Sequence, residues 1–180
     1  INGNQLDNSS TDAGAAYVIV RDGSSAWSQQ AYLKASNSDP GDWFGQSLSI
    51  SGNRLVIGAE LESSSATAVN VDQGDNSASN AGAAYTFLRN EVGNWAQEAY
   101  LKASNTDSKD GFGGGAAVSG NTVVLGAPAE DGNNTGVNNG NQTDNSLSKS
   151  GAAYIFDLSI TFTVGGSVTD LTGDQVVLQN

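Results

Sequence analysis

The sequence holds no cysteine, no histidine and no methionine, and only 2 prolines in 180 residues. Without cysteine there is no disulfide to staple the fold and no thiolate to attack a substrate or hold a metal. Without histidine the Ser-His-Asp triad and the imidazole zinc site are excluded. Carboxylate pairs remain, as in glycoside hydrolysis. Here they recur in register with an internal repeat, whereas a catalytic site usually breaks such symmetry, so the chain is expected not to be an enzyme. Basic residues are scarce too, 7 Lys and Arg against 19 Asp and Glu, for a net charge of −12. That balance argues against nucleic acid, whose phosphates need clustered cations, and against an anionic membrane surface. No apolar run approaches the roughly 18 residues of a membrane span, so no membrane insertion is expected. No charged-then-apolar leader is visible, and the first residue is Ile1. The chain therefore reads as a processed or partial product, with an extracellular or cell-surface setting inferred from composition.

What is abundant is glycine, 23 residues, together with Asn and Ser, while charged residues make up only 14%. This composition suits many short strands joined by many turns. The apolar residues recur in regular groups. Ala-Gly-Ala-Ala-Tyr occupies 13–17 and 81–85, and Gly-Ala-Ala-Tyr returns at 151–154, so Tyr17, Tyr85 and Tyr154 are spaced by 68 and 69 residues. The shift of 68 also carries Trp27 to Trp95, Tyr32 to Tyr100, Lys34 to Lys102, Asp39 to Asp107, Asp42 to Asp110, Phe44 to Phe112 and Gly58 to Gly126. A fixed period of this kind marks a repeat architecture.

One period contains four strand signals. Phe44, Leu48 and Ile50 alternate with polar residues, the pattern of a half-buried strand. Ser51, Gly52 and Asn53 make a tight turn. Residues 54–59, and again 122–127, form a short β-branched run. A long polar stretch leads into the Ala-Gly-Ala-Ala-Tyr strand at 81–89. A turn near 90–94 then leads to 95–103, where Trp95 and Leu101 are expected to share a face. Four antiparallel strands per period match a propeller blade. The expected fold is all-β, about two and a half blades of an incomplete propeller: strands three and four of one blade, a whole blade, and strands one to three of another. The repeats span 1–157. The remainder, 158–180, carries strand-like runs at 160–164 and 175–178, which fit the opening of an Ig-like sandwich, a blade-completing strand, or a strand donated to a neighbouring copy. Strands left bare at either end would be completed by another chain or by residues outside this sequence.

Phe112-Gly113 followed by Gly126-Ala127-Pro128, and Phe44-Gly45 followed by Gly58-Ala59 with Glu60 in place of proline, resemble the signature of the FG-GAP repeat family. The flanking segments Trp27–Asn37 and Trp95–Asn105 share Trp-x-Gln-x-Ala-Tyr-Leu-Lys-Ala-Ser-Asn, which is similar to the bacterial extracellular branch of that family. The resemblance implies seven-bladed propellers, as in integrin α-subunits, and roles in adhesion or surface display. The integrin-like calcium loop between the first two strands of a blade is absent, since only Ser51-Gly52-Asn53 or Ser119-Gly120-Asn121 stands there. The family's calcium ligands therefore cannot be transferred to this chain.

Two long polar connections, 60–80 and 128–150, span 21 and 23 residues. Loops of that length are usually functional or disordered. Their Asp72, Asp75, Asp131 and Asp144 are oxygen donors of the kind Ca²⁺ takes, making calcium the one cofactor to expect; turn formation by Asx residues explains the same composition. Asp39 with Asp42, and Asp107 with Asp110, stand just before each Phe-Gly. They read as cation ligands or as caps on loose backbone N–H groups. Trp27 and Trp95 read as sugar-stacking platforms or as core or rim packing. Trp43 has no counterpart, because Gly111 replaces it. Asn8, Asn133 and Asn141 begin glycosylation sequons. The functional expectation is a binding or adhesion module for a protein or glycan partner. The alternatives are a structural subunit of an extracellular assembly or filament, completed by strands from neighbouring copies, and a carboxylate-based glycan-active enzyme.

Overall fold

The computed structural model describes residues 1–138 and 142–159; the tail runs at 160–164 and 175–178 and the sequon residue Asn141 lie outside the described residues. Among the described residues there are nine strands and no helix: β1 (Ala16–Arg21), β2 (Trp27–Leu33), β3 (Phe44–Ser51), β4 (Arg54–Ala59), β5 (Ala83–Arg89), β6 (Trp95–Leu101), β7 (Gly115–Ser119), β8 (Thr122–Ala127) and β9 (Ala152–Asp157). They form three antiparallel sheets in sequential order, β1-β2, β3-β4-β5-β6 and β7-β8-β9. The expected phase of the repeat is thus the observed one, with half a blade, a whole blade and a blade of three strands. Tyr17, Tyr85 and Tyr154 occupy equivalent third-strand positions.

The middle blade is buried on both faces, so β4 reads as six consecutive buried residues rather than an alternation. One face sets Phe44, Leu55, Ile57, Tyr85, Phe87 and Tyr100 against Ala16, Ala31, Leu33 and Ala35 of the first blade. The other sets Val56, Ala84, Ala99 and Leu101 against Phe112, Val123, Leu125 and Ala127 of the third. The Phe of each Phe-Gly packs edge-on against two third-strand rings of its own blade. Phe44 meets Tyr85 and Phe87 at 5.4 and 6.1 Å, and Phe112 meets Tyr154 and Phe156 at 5.3 and 6.1 Å.

Two expectations are corrected. Trp95 and Leu101 do not share a face. The register of β6 against β5 slips between Thr86 and Phe87, so Glu98 has no residue opposite it on β5. The odd residue reverses the alternation, sending Trp95 to the first-blade core and Leu101 to the third-blade core. On β3, Leu48 and Ile50 keep the alternation but are 58% and 55% exposed. Their repeat equivalents on β7, Ala116 and Val118, pack against the middle blade. In the first blade only β1 and β2 are present among the described residues, and nothing there covers the inner strand.

Blades meet through backbone. Phe44 pairs with Gly14 and Phe112 with Gly82 in isolated parallel bridges across the blade junction. A Cβ on Gly82 would lie 2.1 Å from the Phe112 carbonyl oxygen, and one on Gly58 would lie 2.0 Å from that of Gly113. Ser47 Oγ donates to the same Gly113 carbonyl at 2.6 Å, and Val118 and Gly120 N–H groups donate to Ser49 Oγ and Ser51 Oγ, both at 3.1 Å. Arg54 completes the junction. It holds Glu98 through Nε and Nη2 and reaches the next blade's turn at the Gly120 carbonyl, 2.9 Å, and Asn121 Oδ1. Gly126, the repeat equivalent of Gly58, has only the Gly115 nitrogen near its would-be Cβ, at 3.9 Å. We therefore expect Gly58→Ala to lower stability by about 1–3 kcal/mol, the cost of overpacking a closed contact. Gly126→Ala stays within about 1 kcal/mol of the parent or is slightly stabilising. Thermal melts of the two variants check this, and equal losses would contradict the blade junction described.

Candidate functional site

The connections after β4 and β8 each bury a carboxylate. Glu62 follows β4 by three residues, and its main chain is fixed by its N–H to the Ala59 carbonyl and by the Gly82 N–H to its own carbonyl. Its side chain, 1% exposed, lies under the blade junction. Asn37 Nδ2 donates to Glu62 Oε1 at 3.0 Å and to the Gln73 carbonyl at 2.7 Å, while Tyr85 donates its hydroxyl to Asn37 Oδ1 at 2.6 Å. The Ser64 N–H and Lys102 Nζ donate to Glu62 Oε2, each at 3.1 Å, and Lys102 Nζ also donates to the Gly82 carbonyl at 2.6 Å. The network ties the first blade's exit to three strands of the middle blade.

The same set, the lysine excepted, recurs one blade on. Asn105 Nδ2 donates to Glu130 Oε1 at 2.9 Å and to the Gln142 carbonyl at 2.7 Å. Tyr154 donates to Asn105 Oδ1 at 2.6 Å, and the Gly132 N–H donates to Glu130 Oε2 at 2.8 Å. Burial raises the hydroxyl pKa of Tyr85 and pushes that of Tyr154 up to about 12, so both remain donors at any physiological pH. Burial also lowers the Lys102 pKa, against the opposing pull of Glu62. None of Asn37, Asn105, Glu62 or Glu130 stood among the expected site residues. The signal that finds them is the repeat itself, since both pairs lie 68 residues apart.

The expected acidic residues fall into two groups. Asp42 and Asp110 are buried, and each Oδ2 accepts the backbone N–H three residues earlier, from Asp39 at 2.8 Å and Asp107 at 2.9 Å. Desolvation pushes both up to about 6. Asp39 and Asp107 instead reach outward, each accepting the side-chain amide of a long-loop asparagine, Asn76 or Asn145, at 2.9 Å. The Asp-x-x-Asp pair thus caps its own turn with one carboxylate and fastens the long loop with the other.

The carboxylates of the long loops serve their own loops. Asp72 Oδ1 accepts from Gly74 N–H, Asp131 Oδ1 from Lys149 N–H and Asp144 Oδ1 from Ser146 N–H, at 3.0, 2.6 and 3.0 Å. Asp75 Oδ2 accepts from the Ser65 hydroxyl and N–H and from the Ser77 hydroxyl, which hold its pKa down to about 2. Among the described residues no three carboxylates converge. Ca²⁺ takes six to eight oxygens, and these aspartates, turned one by one to loop donors, do not fit that demand.

Trp95 is 7% exposed and donates Nε1 to Gln30 Oε1 of the first blade at 2.9 Å, whereas its equivalent Trp27 is 67% exposed. Each lies beneath an arginine, Arg89 at 5.7 Å and Arg21 at 6.0 Å. Trp43, at φ 59°, is exposed. At its counterpart Gly111 the Glu60 side chain lies 3.2 Å from a would-be Cβ, so an indole there would have to displace Glu60. The signature residues Phe44, Gly45, Gly58, Ala59, Phe112, Gly113, Gly126, Ala127 and Pro128 belong to the strand ends and blade junctions.

Comparison with protein families agrees with this geometry. The family model described as FG-GAP repeat matches residues 27–87 and 95–156, each match running from a fourth strand to the third strand of the next blade. No curated protein matches the chain.

The two buried aspartates generate a pH dependence. Their pKa is raised on folding from 3.8 to about 6. The folded chain therefore holds these protons more tightly than the unfolded chain, and stability rises as pH falls from about 6 towards 4. Allowing for solvent screening, each contributes on the order of 1 kcal/mol. Below pH 4 the sign reverses, as carboxylates with lowered values, Asp75 foremost, lose their hydrogen-bonded ionised form. The melting temperature is expected to climb by a few degrees between pH 7 and 4.5. A chain carrying Asp42→Asn and Asp110→Asn should lose most of that climb, and an undiminished climb in the variant would refute the assignment.

Proposed function

The chain belongs to the FG-GAP repeat family, and from that membership we propose that it is a non-enzymatic binding module that works outside the cell, taking a protein or glycan partner on the rim built by its two long loops. The observation that carries this reading is the ordering of those loops. Residues 60–80 contain no strand, yet Asn37, Asn76, Ser64, Ser65 and Asp75 fasten them to the preceding blade exit and to one another. The described part of 128–150 is fastened the same way through Asn105, Ser104, Asn145 and Asp131. Side chains on such a rim spend little entropy on binding. The buried groups best suited to chemistry, Glu62 and Lys102, are paired with each other beneath the surface, which supports a structural use over catalysis.

A glycan array and a panel of immobilised extracellular matrix proteins test the reading directly. Replacing 64–77 with a Gly-Ser segment of equal length should abolish capture while the β-type circular dichroism spectrum persists. Capture unchanged by that replacement would remove the rim from consideration.

A second reading, a structural subunit, is favoured by the apolar flanks. Tyr17 and Ile19 of β1, with Leu48 and Ile50 of β3, are exposed on one flank, and Val124 and Ile155 of the third blade are exposed on the other. In the middle blade the equivalents of the β1 and third-blade residues, Tyr85, Phe87, Val56 and Thr86, are buried by neighbouring blades. Sedimentation of the full chain over a range of concentrations distinguishes a subunit that stacks on copies of itself from a monomeric binder.

A further inference from the structure

The third blade has a prepared place for a fourth strand. Among the described residues nothing pairs with the edge of β9 turned away from β8, whereas the equivalent edge of β5 is covered by β6. Three features that hold β6 are nevertheless repeated beside β9.

The first is a backbone clasp. Asn70 donates its N–H to the Tyr100 carbonyl at 2.9 Å and accepts the Tyr100 N–H on Oδ1 at 2.8 Å. Asn2 clasps Tyr32 of β2 in the same way, at 2.7 and 2.9 Å. Both asparagines sit at positive φ, 57° and 53°, and the third equivalent, Asn138, does so at 46°. The second is a charge. Lys102, just past the end of β6, places its ammonium between Glu62 and the Gly82 carbonyl. The equivalent acceptors of the third blade, Glu130 and the Gly151 carbonyl, are both present. Glu130 is 5% exposed, and neither ion pair among the described residues includes it. The third is space. A cleft of about 790 Å³ lies here, lined among others by Asn105, Glu130, Asn138, Tyr154, Ile155 and Phe156.

A buried carboxylate without a cation is costly, and a bare strand edge is a template for an added strand. Residues 150–180 contain no lysine or arginine, so none of them can supply the ammonium. We propose that the β9 edge binds an extended polypeptide strand bearing the Ala-Tyr-Leu-Lys pattern shared by 31–34 and 99–102. The strand runs antiparallel to β9. Its tyrosine lies opposite Tyr154, as Tyr100 lies opposite Tyr85, its backbone is clasped by Asn138, and its lysine ammonium closes on Glu130 and the Gly151 carbonyl. This deepens the subunit reading by stating what a completing strand must carry, and its test does not depend on self-assembly.

The test uses a labelled peptide with the sequence of residues 95–104, titrated into the full chain and followed by fluorescence anisotropy. One-to-one saturable binding is expected, with the Lys102→Gln peptide weaker by roughly tenfold or more, the scale of losing one partner of a buried charge pair. In the chain, Glu130→Gln should erase the difference between the two peptides. If that variant loses its β-type spectrum, the comparison of peptides on the parent chain decides alone. Absence of saturable binding, or equal affinity for both peptides, overturns the proposal. A peptide that binds with lysine dependence to a chain that sediments as a monomer upholds the strand site while removing the self-stacking reading.

Discussion

The structure depends on how closely the backbones of successive blades approach one another. Phe112 and Gly113 of one blade lie on Gly82, Ala83 and Gly58 of the blade before, at distances where a single Cβ would meet a carbonyl oxygen at about 2 Å. Hydrogen bonds, the Ser47 hydroxyl to Gly113 and the serine row of β3 to the β7 backbone, then span the seam. A seam built this way makes substitution at its glycines costly, because a Cβ there would force the two backbones apart. The phenylalanine of each Phe-Gly is consequently held at one position, from which it packs on its own blade's third-strand rings.

Beneath the seam the second determinant is polar. The middle and third blades each bury a glutamate at the point where the long loop departs, and an asparagine from the preceding blade satisfies it. Asn37 and Asn105 each donate to the glutamate and to a loop carbonyl while accepting from a tyrosine hydroxyl. One side chain thereby joins blade exit, third strand and long loop. A low-dielectric site makes such a fully satisfied set rigid. The loops can then be long and glycine-rich without losing their placement.

Strand order, strand number and the phase of the repeat were legible in the sequence, because a 68-residue period and a two-residue alternation are both properties of sequence alone. The extra residue in β6 was not, since a bulge is a property of the pairing between two strands and not of one strand's alternation; the same slip recurs in β2, at Gln30. Nor was the exposure of Leu48 and Ile50, which depends on what neighbours the inner strand and not on its own pattern. At the site, reading acidic residues one at a time favoured the aspartates that decorate the loops. The buried glutamates were legible only by asking which polar residues the period preserves together, and Asn37, Glu62 and Lys102 each recur once, but not on the same blades.

That difference separates the blades functionally. Asparagine and glutamate both recur at the third blade, but lysine does not. At the first blade the converse holds: Lys34 donates to the Gly14 carbonyl, and no glutamate among the described residues is in ion-pair contact with it. Among the described residues only the middle blade contains acid, amide and base together, and there the pair is buried almost completely. A buried charge pair contributes little net stability when complete, but leaves a large penalty when one member is missing. The penalty at Glu130 therefore acts as a selection rule. A strand that adds to the third blade gains from main-chain pairing like any edge strand, and is discriminated from others by whether it delivers an ammonium to one buried oxygen pair.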